Sequence, residues 1–250
     1  MTKRFIGAIK GGWRLRAAAL AAIVFWSPAR AASLQVSPVS LSLTAKQNAD
    51  GLWLFNSGNA PLQAQVRVFR WTQAKGGDVL APTTELVASP PMITVEPGRR
   101  QIIRIVRVNS ASPPPAVEQT FRLLVDEIPA LDAPGVQFAL RYSIPVFILG
   151  AAKASAAALD WKIEHRGKDV VLHVVNTGGG YAKITNVGFT PTNGKKLVLS
   201  KGLYGYVLAK NSRDWQLEHH GRAFLGGGVL SAKVNTREVT VSLPPVSDGG

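Results

Sequence analysis

The chain has 250 residues, no cysteine and a formal net charge of +14 at pH 7. The absence of cysteine excludes disulfide bridges and a cysteine nucleophile, so the hydrophobic core alone must stabilise the fold. Because no basic run is interleaved with aromatic residues, the positive charge is typical of a solvated surface and not of a nucleic-acid-binding one.

The first 31 residues have the pattern of a cleaved export signal. Basic residues precede an apolar run from Ala17 to Trp26, and an Ala-x-Ala motif ends at Ala31. This run of about ten residues is too short to span a bilayer, which needs roughly 20. We therefore expect a signal peptide at residues 1–31 and an exported mature chain that does not span the membrane. Cleavage would remove six basic residues and no acidic one, which lowers the charge from +14 to +8.

After the signal, short alternating runs separated by turn residues predict an all-β protein. Seven strands in about 115 residues match an immunoglobulin-like sandwich. The expected strands are Leu34 to Leu43, Leu52 to Asn56, Pro61 to Gln73, Ile93 to Val95, Gln101 to Val108, Thr120 to Asp126 and Val136 to Leu149.

A second set of alternating runs follows a spacer from Gly150 to Ala157. We expect an N-terminal immunoglobulin-like domain at residues 32–150 and a C-terminal β-sandwich domain at residues 151–250. An Asn-x-Gly turn occurs at comparable places in both, at Asn56 and at Asn176, which fits two related domains. The expected strands of the second domain are Leu159 to His165, Asp169 to Asn176, Ala182 to Phe189, Lys196 to Ser200, Gly205 to Leu208, Arg213 to Glu218, Val229 to Val234 and Glu238 to Leu243.

The last strand of the first domain is the most informative stretch of the sequence. Its even positions form an unbroken apolar row, and its only charge and only breaker are Arg141 and Pro145. A terminal strand often lies at a sheet edge, where a bare apolar row invites another chain. Periodicity alone leaves two interpretations open, in which the row either packs in its own core or is offered to a partner. The row consists of Val136, Phe138, Leu140, Tyr142, Ile144, Val146 and Ile148.

The stretch SPPMITVEPGRRQIIRI, residues 89–105, resembles the periplasmic chaperones of the chaperone–usher pathway, which fold and deliver pilus subunits. The resemblance continues through Glu118-Gln-Thr-Phe-Arg122, Asp126-Glu127-Ile128-Pro129 and the strand from Val136 to Ile148. It covers essentially all of the first domain, whereas the second domain matches only in general shape. The order of these landmarks, and not the chemistry of any one of them, indicates the family.

The resemblance implies two immunoglobulin-like domains in an angled, L-shaped arrangement in the periplasm of a Gram-negative cell. A pilus or fimbrial subunit would bind in the cleft and along the last strand of the first domain, and would then pass to an outer-membrane usher. That strand would complete the subunit's sheet by β-augmentation, without any cofactor. Self-association could hide the exposed edge in the free protein. The residues that align with the family's donor strand are Val136, Phe138 and Leu140, with Tyr142 and Ile144 extending the row.

The sequence departs from the family at the expected carboxylate anchor. Typical members bind the subunit's C-terminal carboxylate with an arginine and a lysine, but the matching positions are Ser40 and Pro145. This departure suggests a divergent branch close to the archaic or spore-coat-like systems. Because arginine binds carboxylates bidentately, the candidate anchors are Arg141, Arg100 and Arg104.

Arg104 also has a second, structural interpretation. It matches a family arginine that pairs internally with an acid, and the acid that matches here is Glu118. The resemblance therefore predicts a structural pair between Arg104 and Glu118.

Two other functional classes compete with a chaperone. Catalysis and metal binding are disfavoured because the four histidines all lie in the second domain and His219 and His220 are adjacent, so on a strand they point to opposite faces. The alternative is a secreted structural or adhesive β-sandwich that binds ligands on exposed tryptophans. Core packing is the favoured interpretation of the tryptophans at strand positions, which are Trp53, Trp71, Trp161 and Trp215.

Overall fold

The computed structural model describes residues 34–108, 117–129, 138–150, 156–217 and 221–246. Regular structure in these ranges is almost entirely β-strand, which confirms the predicted all-β class. Within them, no helix is long and apolar enough to cross a bilayer. The expected signal peptide and Val136 lie outside the described residues.

The first sandwich contains ten described strands in two sheets. One sheet has the order β1-β3-β8-β6, and the other has the order β2-β10-β9-β4-β5, with β7 paired to β4. The strands are β1 (Leu34–Ser37), β2 (Leu41–Leu43), β3 (Ala49–Asn56), β4 (Leu62–Ala74), β5 (Gly77–Pro82), β6 (Leu86–Ser89), β7 (Met92–Val95), β8 (Arg100–Arg107), β9 (Gln119–Ile128) and β10 (Arg141–Ile148).

The second sandwich contains eight described strands and one short helix. A three-stranded sheet, β11-β12-β16, faces a sheet of order β14-β13-β17-β18, to which β15 is added by pairing with β13. The elements are β11 (Leu159–Arg166), β12 (Asp169–Asn176), β13 (Ala182–Pro191), β14 (Leu197–Val198), β15 (Leu203–Val207), β16 (Ser212–Gln216), α1 (Gly221–Leu225), β17 (Gly228–Val234) and β18 (Arg237–Leu243).

Each sandwich has its own hydrophobic core. Leu54, Ile103 and Phe121 are fully buried in the first core, and Phe189 stacks on Phe224 in the second with ring centroids 4.1 Å apart. Alternating strand residues point to opposite faces, so one apolar row per strand suffices to form each core. Burial of such a side chain stabilises the fold by roughly 1.5 to 3 kcal/mol before ordering costs are subtracted.

The same asparagine turn recurs in both domains, as the repeated Asn-x-Gly motif suggested. The Asn56 side chain is fully buried, donates to the carbonyls of Ala60 and Val95 at 2.8 Å, and accepts from the Gly58 N–H at 2.9 Å. Asn176 is equally buried and makes the corresponding bonds to Gly180, Val207 and Gly178. Each side chain thereby satisfies three backbone groups that would otherwise be costly to bury.

Several strand predictions need correction. The run predicted from Leu34 to Leu43 divides into β1 and β2, which lie in different sheets, because Pro38 lacks the N–H that would continue the ladder. The strand predicted to begin at Val136 begins, among the described residues, only at Arg141. The edge strand β5 was missed because it is exposed on both faces and has no alternating apolar pattern.

Candidate functional site

β10 leaves half of one edge unpaired. On one side it pairs with β9 along its whole length, from Arg141 opposite Asp126 to Ile148 opposite Gln119. On the other side it pairs with β2 through its last three residues only, beginning at Val146. Within the described ranges, no strand pairs with that side of β10 from Arg141 to Pro145. We call these five residues the open edge.

The hydrogen bonds at the two ends of β10 establish which backbone groups face the open edge. The Leu140 carbonyl accepts from the Glu127 N–H on β9, and the Leu149 N–H donates to the Leu43 carbonyl on the β2 side, both at 2.9 Å. Backbone direction alternates along a strand, so Arg141 and Ser143 direct their N–H and carbonyl groups to the open edge. Pro145 has only a carbonyl to offer there, as expected for proline in an edge position.

The predicted donor row is shorter than the sequence indicated. Phe138 is 76% exposed and Leu140 is half-buried. Tyr142 packs against its own core and donates its hydroxyl to the Leu34 carbonyl at 2.6 Å. Ile144 is only 2% exposed and belongs to that core. Its assignment to the donor row is therefore wrong, because its apolar surface is already covered.

Arg141 is the only candidate anchor on β10, and it already has an acidic partner. Its guanidinium pairs with the Asp126 carboxylate, which also binds Arg67 at 2.7 Å. Burial raises the pKa of Asp126, but the hydrogen bonds from Arg141 and Arg67 outweigh burial and hold that pKa below its ordinary value. The Arg141 side chain is 62% exposed. It can therefore meet a second carboxylate while it keeps Asp126.

The other two candidate anchors lie in the other sheet of the sandwich. Arg100 and Arg104 are on β8, which pairs with β3 and β6 and not with β10. The Arg100 guanidinium lies over the Trp53 ring, 4.8 Å from its centroid. The predicted pair between Arg104 and Glu118 is wrong, since the described residues show no ion pair between them. Glu118 instead lies at the junction with the second domain, where the backbone of Tyr181 donates to it.

An aromatic cluster joins β10 to the second domain, and sequence reasoning did not find it. Phe147 is fully buried and stacks on Tyr181, while Trp71 packs against Phe147 and Tyr206 packs against both rings. The signal was present in the sequence, because Pro145 and Phe147 make the second face of β10 apolar where the strand nears its end. A strand that is apolar on both faces is buried on both.

Polar contacts between the domains surround this cluster. The Gln73 side chain donates to the Tyr206 carbonyl at 2.8 Å and accepts from the Leu208 N–H at 2.9 Å. Arg213 forms an ion pair with Asp78 at 2.8 Å. The hairpin formed by β4 and β5 is thereby bound to β15 and β16, so the end of the sheet that contains β10 has a defined position against the second sandwich.

Two of the tryptophans considered as ligand platforms are internal. Trp71 and Trp161 are buried, which confirms the core-packing interpretation for them, and Trp53 is partly covered by Arg100. The described residues also contain no cluster of three or more His, Asp or Glu side chains that could hold a metal ion.

Comparison with known proteins gives the family. Residues 33–151 match the model of the PapD N-terminal domain of pili and flagellar-assembly chaperones. The first domain of the chain belongs to the PapD-like pilus assembly chaperones. This family consists of non-enzymatic pilus assembly chaperones. No curated protein matches the sequence.

Solved structures show the same fold for the PapD-like chain. The CsuC–CsuE chaperone–tip adhesion subunit pre-assembly complex from archaic Csu pili of Acinetobacter baumannii is 22% identical, covers 86% of this chain and all of its own, and has a TM-score of 0.68. The YadV chaperone is 19% identical, covers 85% of this chain and 100% of its own, and has a TM-score of 0.62. The Salmonella enterica SafA pilin complex with the SafB chaperone is 16% identical, covers 86% of this chain and 98% of its own, and has a TM-score of 0.61. The placement of this chain in an archaic branch stays a prediction.

Proposed function

We propose that the protein is a periplasmic chaperone that stabilises pilus or fimbrial subunits by donor-strand complementation and delivers them to an outer-membrane usher. The observation that carries the proposal is the open edge of β10 with the exposed Phe138 just before it. A subunit that lacks one strand would pair with the N–H and carbonyl groups of Arg141 and Ser143. It would also cover the apolar side chains of Phe138 and Leu140.

The open edge also limits how far an added strand can extend. Pro145 cannot donate a hydrogen bond, and from Val146 onward β2 occupies the same side of β10. The added strand would therefore pair from the residues before Arg141 up to Ser143. We place Val136, Phe138 and Leu140 in the subunit's groove, with Tyr142 at the boundary of the row.

We place the subunit's C-terminal carboxylate beside Arg141. The guanidinium is exposed and lies on the strand that would receive the subunit, whereas Arg100 and Arg104 lie in the other sheet. Asp126 competes for this arginine. The carboxylate would add to an existing ion pair and not meet a free cation, which predicts weaker anchoring than an unpaired arginine would provide.

The test is co-expression of the mature chain with small secreted proteins encoded beside its gene, followed by purification from the periplasm. A Phe138→Asp, Leu140→Asp double variant should lose a partner that the wild type carries at one to one. Val79→Asp, Leu80→Asp is a matched control, because these residues are 42% and 40% exposed on β5, the opposite edge of the same sheet. A wild-type protein that is folded but carries nothing, or equal loss in both variants, would contradict strand donation.

Without a subunit, the open edge should be covered by self-association. Two chains would pair their β10 edges and bury Phe138. Light scattering of the free wild type should show a concentration-dependent oligomer, and the Phe138→Asp, Leu140→Asp variant should be monomeric. A monomeric wild type at high concentration would count against this self-capping.

A further inference from the structure

The charges of the second domain are divided unequally between its two sheets. Leaving histidine aside, the strands β11, β12 and β16 and the turn between the first two contain four basic and four acidic residues. The strands and connections of the other sheet, residues 182–208 and 228–243, contain six basic residues and one acidic residue, a net charge of +5. The positive charge is therefore concentrated on the sheet that contains β13.

Five of these six basic residues are lysines without an acidic partner. The ion pairs within the second domain join residues of β11 and β16, such as Arg166 with Asp214 at 2.6 Å. In the part of the chain that the structure describes, no ion pair involves any of the five lysines. Their charge is thus available to an anionic partner. The five are Lys183, Lys195, Lys196, Lys201 and Lys233.

Three exposed aliphatic side chains lie on the outward face of the same sheet. Val198, Leu203 and Val229 are 54%, 56% and 40% exposed. In each case the next residue along the chain packs into the core of the second sandwich. Because side chains alternate along a strand, these three side chains point away from that core and towards solvent.

Lys196 extends across this outward face. Gly188 lies opposite Val198 in the sheet, and a Cβ atom placed on Gly188 would come within 2.9 Å of the Lys196 Cε atom. The apolar stem of Lys196 therefore covers the glycine beside Val198, and its ammonium group can still reach solvent. We call this surface the lysine face. It consists of Lys183, Lys196, Val198, Leu203, Val229 and Lys233, with Lys195 and Lys201 in the adjoining connections.

The composition of the lysine face favours one kind of anionic partner. Protein interfaces are enriched in aromatic residues, Met and Arg and are depleted of Lys. The lysine face contains no aromatic residue, no Met and no Arg. An anionic bilayer attracts each lysine near its surface and accepts aliphatic side chains at the boundary between headgroups and acyl chains. The combination of lysines with Val and Leu therefore fits a phospholipid surface better than an acidic protein.

We propose that the lysine face docks the protein reversibly onto an anionic phospholipid membrane surface. The ammonium groups would lie among the lipid headgroups, while Val198 and Leu203 would enter the boundary beneath them. The open edge of β10 belongs to the first domain, so membrane docking and strand donation would use different residues.

The test is sedimentation of the purified mature chain with vesicles of phosphatidylethanolamine and phosphatidylglycerol at low salt. We expect saturable binding to these vesicles and none to neutral phosphatidylcholine vesicles. The Lys195→Gln, Lys196→Gln variant should bind about 25-fold more weakly, because each lysine near an anionic surface contributes about fivefold. Lys162→Gln, Lys168→Gln is the matched control, since it removes the same charge from exposed positions on the other sheet. Its binding should change less than about twofold.

The aliphatic residues need a separate test. Val198→Ser, Leu203→Ser should weaken vesicle binding about tenfold or more, because two apolar side chains no longer leave water. Val79→Ser, Leu80→Ser is the matched control, with similar exposure on β5 of the first domain. High salt should weaken binding of the wild type, because it screens exposed charges. Circular dichroism of each variant establishes that it is folded.

Three results would overturn the proposal: no binding to the anionic vesicles, equal binding to the neutral ones, or equal loss in the two lysine variants. Binding to poly-glutamate as tight as to the vesicles, with no effect of Val198→Ser, Leu203→Ser, would identify an acidic protein as the partner and would overturn it as well. None of these measurements includes a subunit, so failure of strand donation would leave them unchanged.

Discussion

Phe147 stacks on Tyr181 with ring centroids 3.7 Å apart and ring planes 11° apart. The first residue belongs to β10 and the second to the other sandwich. The open edge of β10 ends at Pro145, two residues before this contact, so the second domain holds the same strand that carries the open edge. This relationship gives the second domain a role in positioning β10.

Removal of the stacked ring should destabilise the protein strongly. Phe147→Ala takes away a fully buried aromatic ring between the domains and should lower the free energy of unfolding by about 3 to 5 kcal/mol. Phe138→Ala is the matched control on the same segment, and its exposed ring predicts a change below about 0.5 kcal/mol. Urea denaturation of both variants measures the difference. Equal effects would show that Phe147 is not held as the structure indicates.

The buried asparagine turns predict a large loss of stability when the asparagine side chain is removed. Asn56→Ala leaves the carbonyls of Ala60 and Val95 and the N–H of Gly58 without their partner. It should lower the free energy of unfolding by about 2 to 3 kcal/mol. Asn193→Ala, in an exposed turn of the second domain, should be close to neutral. Thermal unfolding followed by circular dichroism distinguishes them. A melting temperature for Asn56→Ala within a degree of the wild type would contradict this role.

Stability should fall as the pH rises through neutrality. Burial raises the pKa of Glu118 to about 7 from an ordinary 4.5, so the folded state favours the protonated acid. The resulting stabilisation is fully present below the pKa that Glu118 has in the unfolded state. It is lost as the pH rises through the pKa that Glu118 has in the folded state. The loss between pH 4.5 and pH 8 should reach about 3 kcal/mol, at 1.36 kcal/mol for each unit.

Denaturant unfolding at pH 5 and pH 8 measures this contribution. In Glu118→Gln the dependence should be reduced, because the amide cannot titrate. Asp126 and Asp214, whose pKa values are lowered, contribute in the opposite sense at acidic pH and lie outside this window. An unchanged pH profile in Glu118→Gln would show that another group is responsible.

Arg141 should matter for partner binding and little for folding. Its pair with Asp126 is exposed, and Asp126 keeps Arg67, so Arg141→Ala should change the free energy of unfolding by less than about 1 kcal/mol. Recovery of a co-expressed subunit should fall sharply. Arg100→Ala provides a control on the other sheet, with recovery expected to stay at the wild-type level. Unchanged recovery with Arg141→Ala would remove this residue from the proposed anchor.

Much of the fold could be predicted because alternation is a local property. The apolar and polar rows of β4, β8 and β9 are visible in the sequence, and the structure places them where the pattern predicts. The asparagine turns were equally visible, since the Asn-x-Gly spacing is a short-range signal. β5 could not be predicted, because an edge strand exposed on both faces has no period to detect.

The candidate site could be predicted only in part. The sequence predicts the apolar row of the last strand. It does not predict that the row is exposed up to Leu140 and buried at Ile144, because burial depends on which other strands cover the row. The prediction of a pair between Arg104 and Glu118 was wrong because such a contact also depends on the arrangement of the other strands. A match of sequence positions says nothing of whether the two side chains lie at the same end of the sandwich.

The sequence by itself determined the all-β class, the two sets of strands and the apolar row of the last strand in the first domain. Each of these follows from the order of side chains along one strand. The tertiary structure alone decided that β2 covers only the end of β10, that Phe147 faces the second domain, and that the residues of the lysine face lie on one sheet. These depend on which strands become neighbours, which is set by packing between residues far apart in the chain.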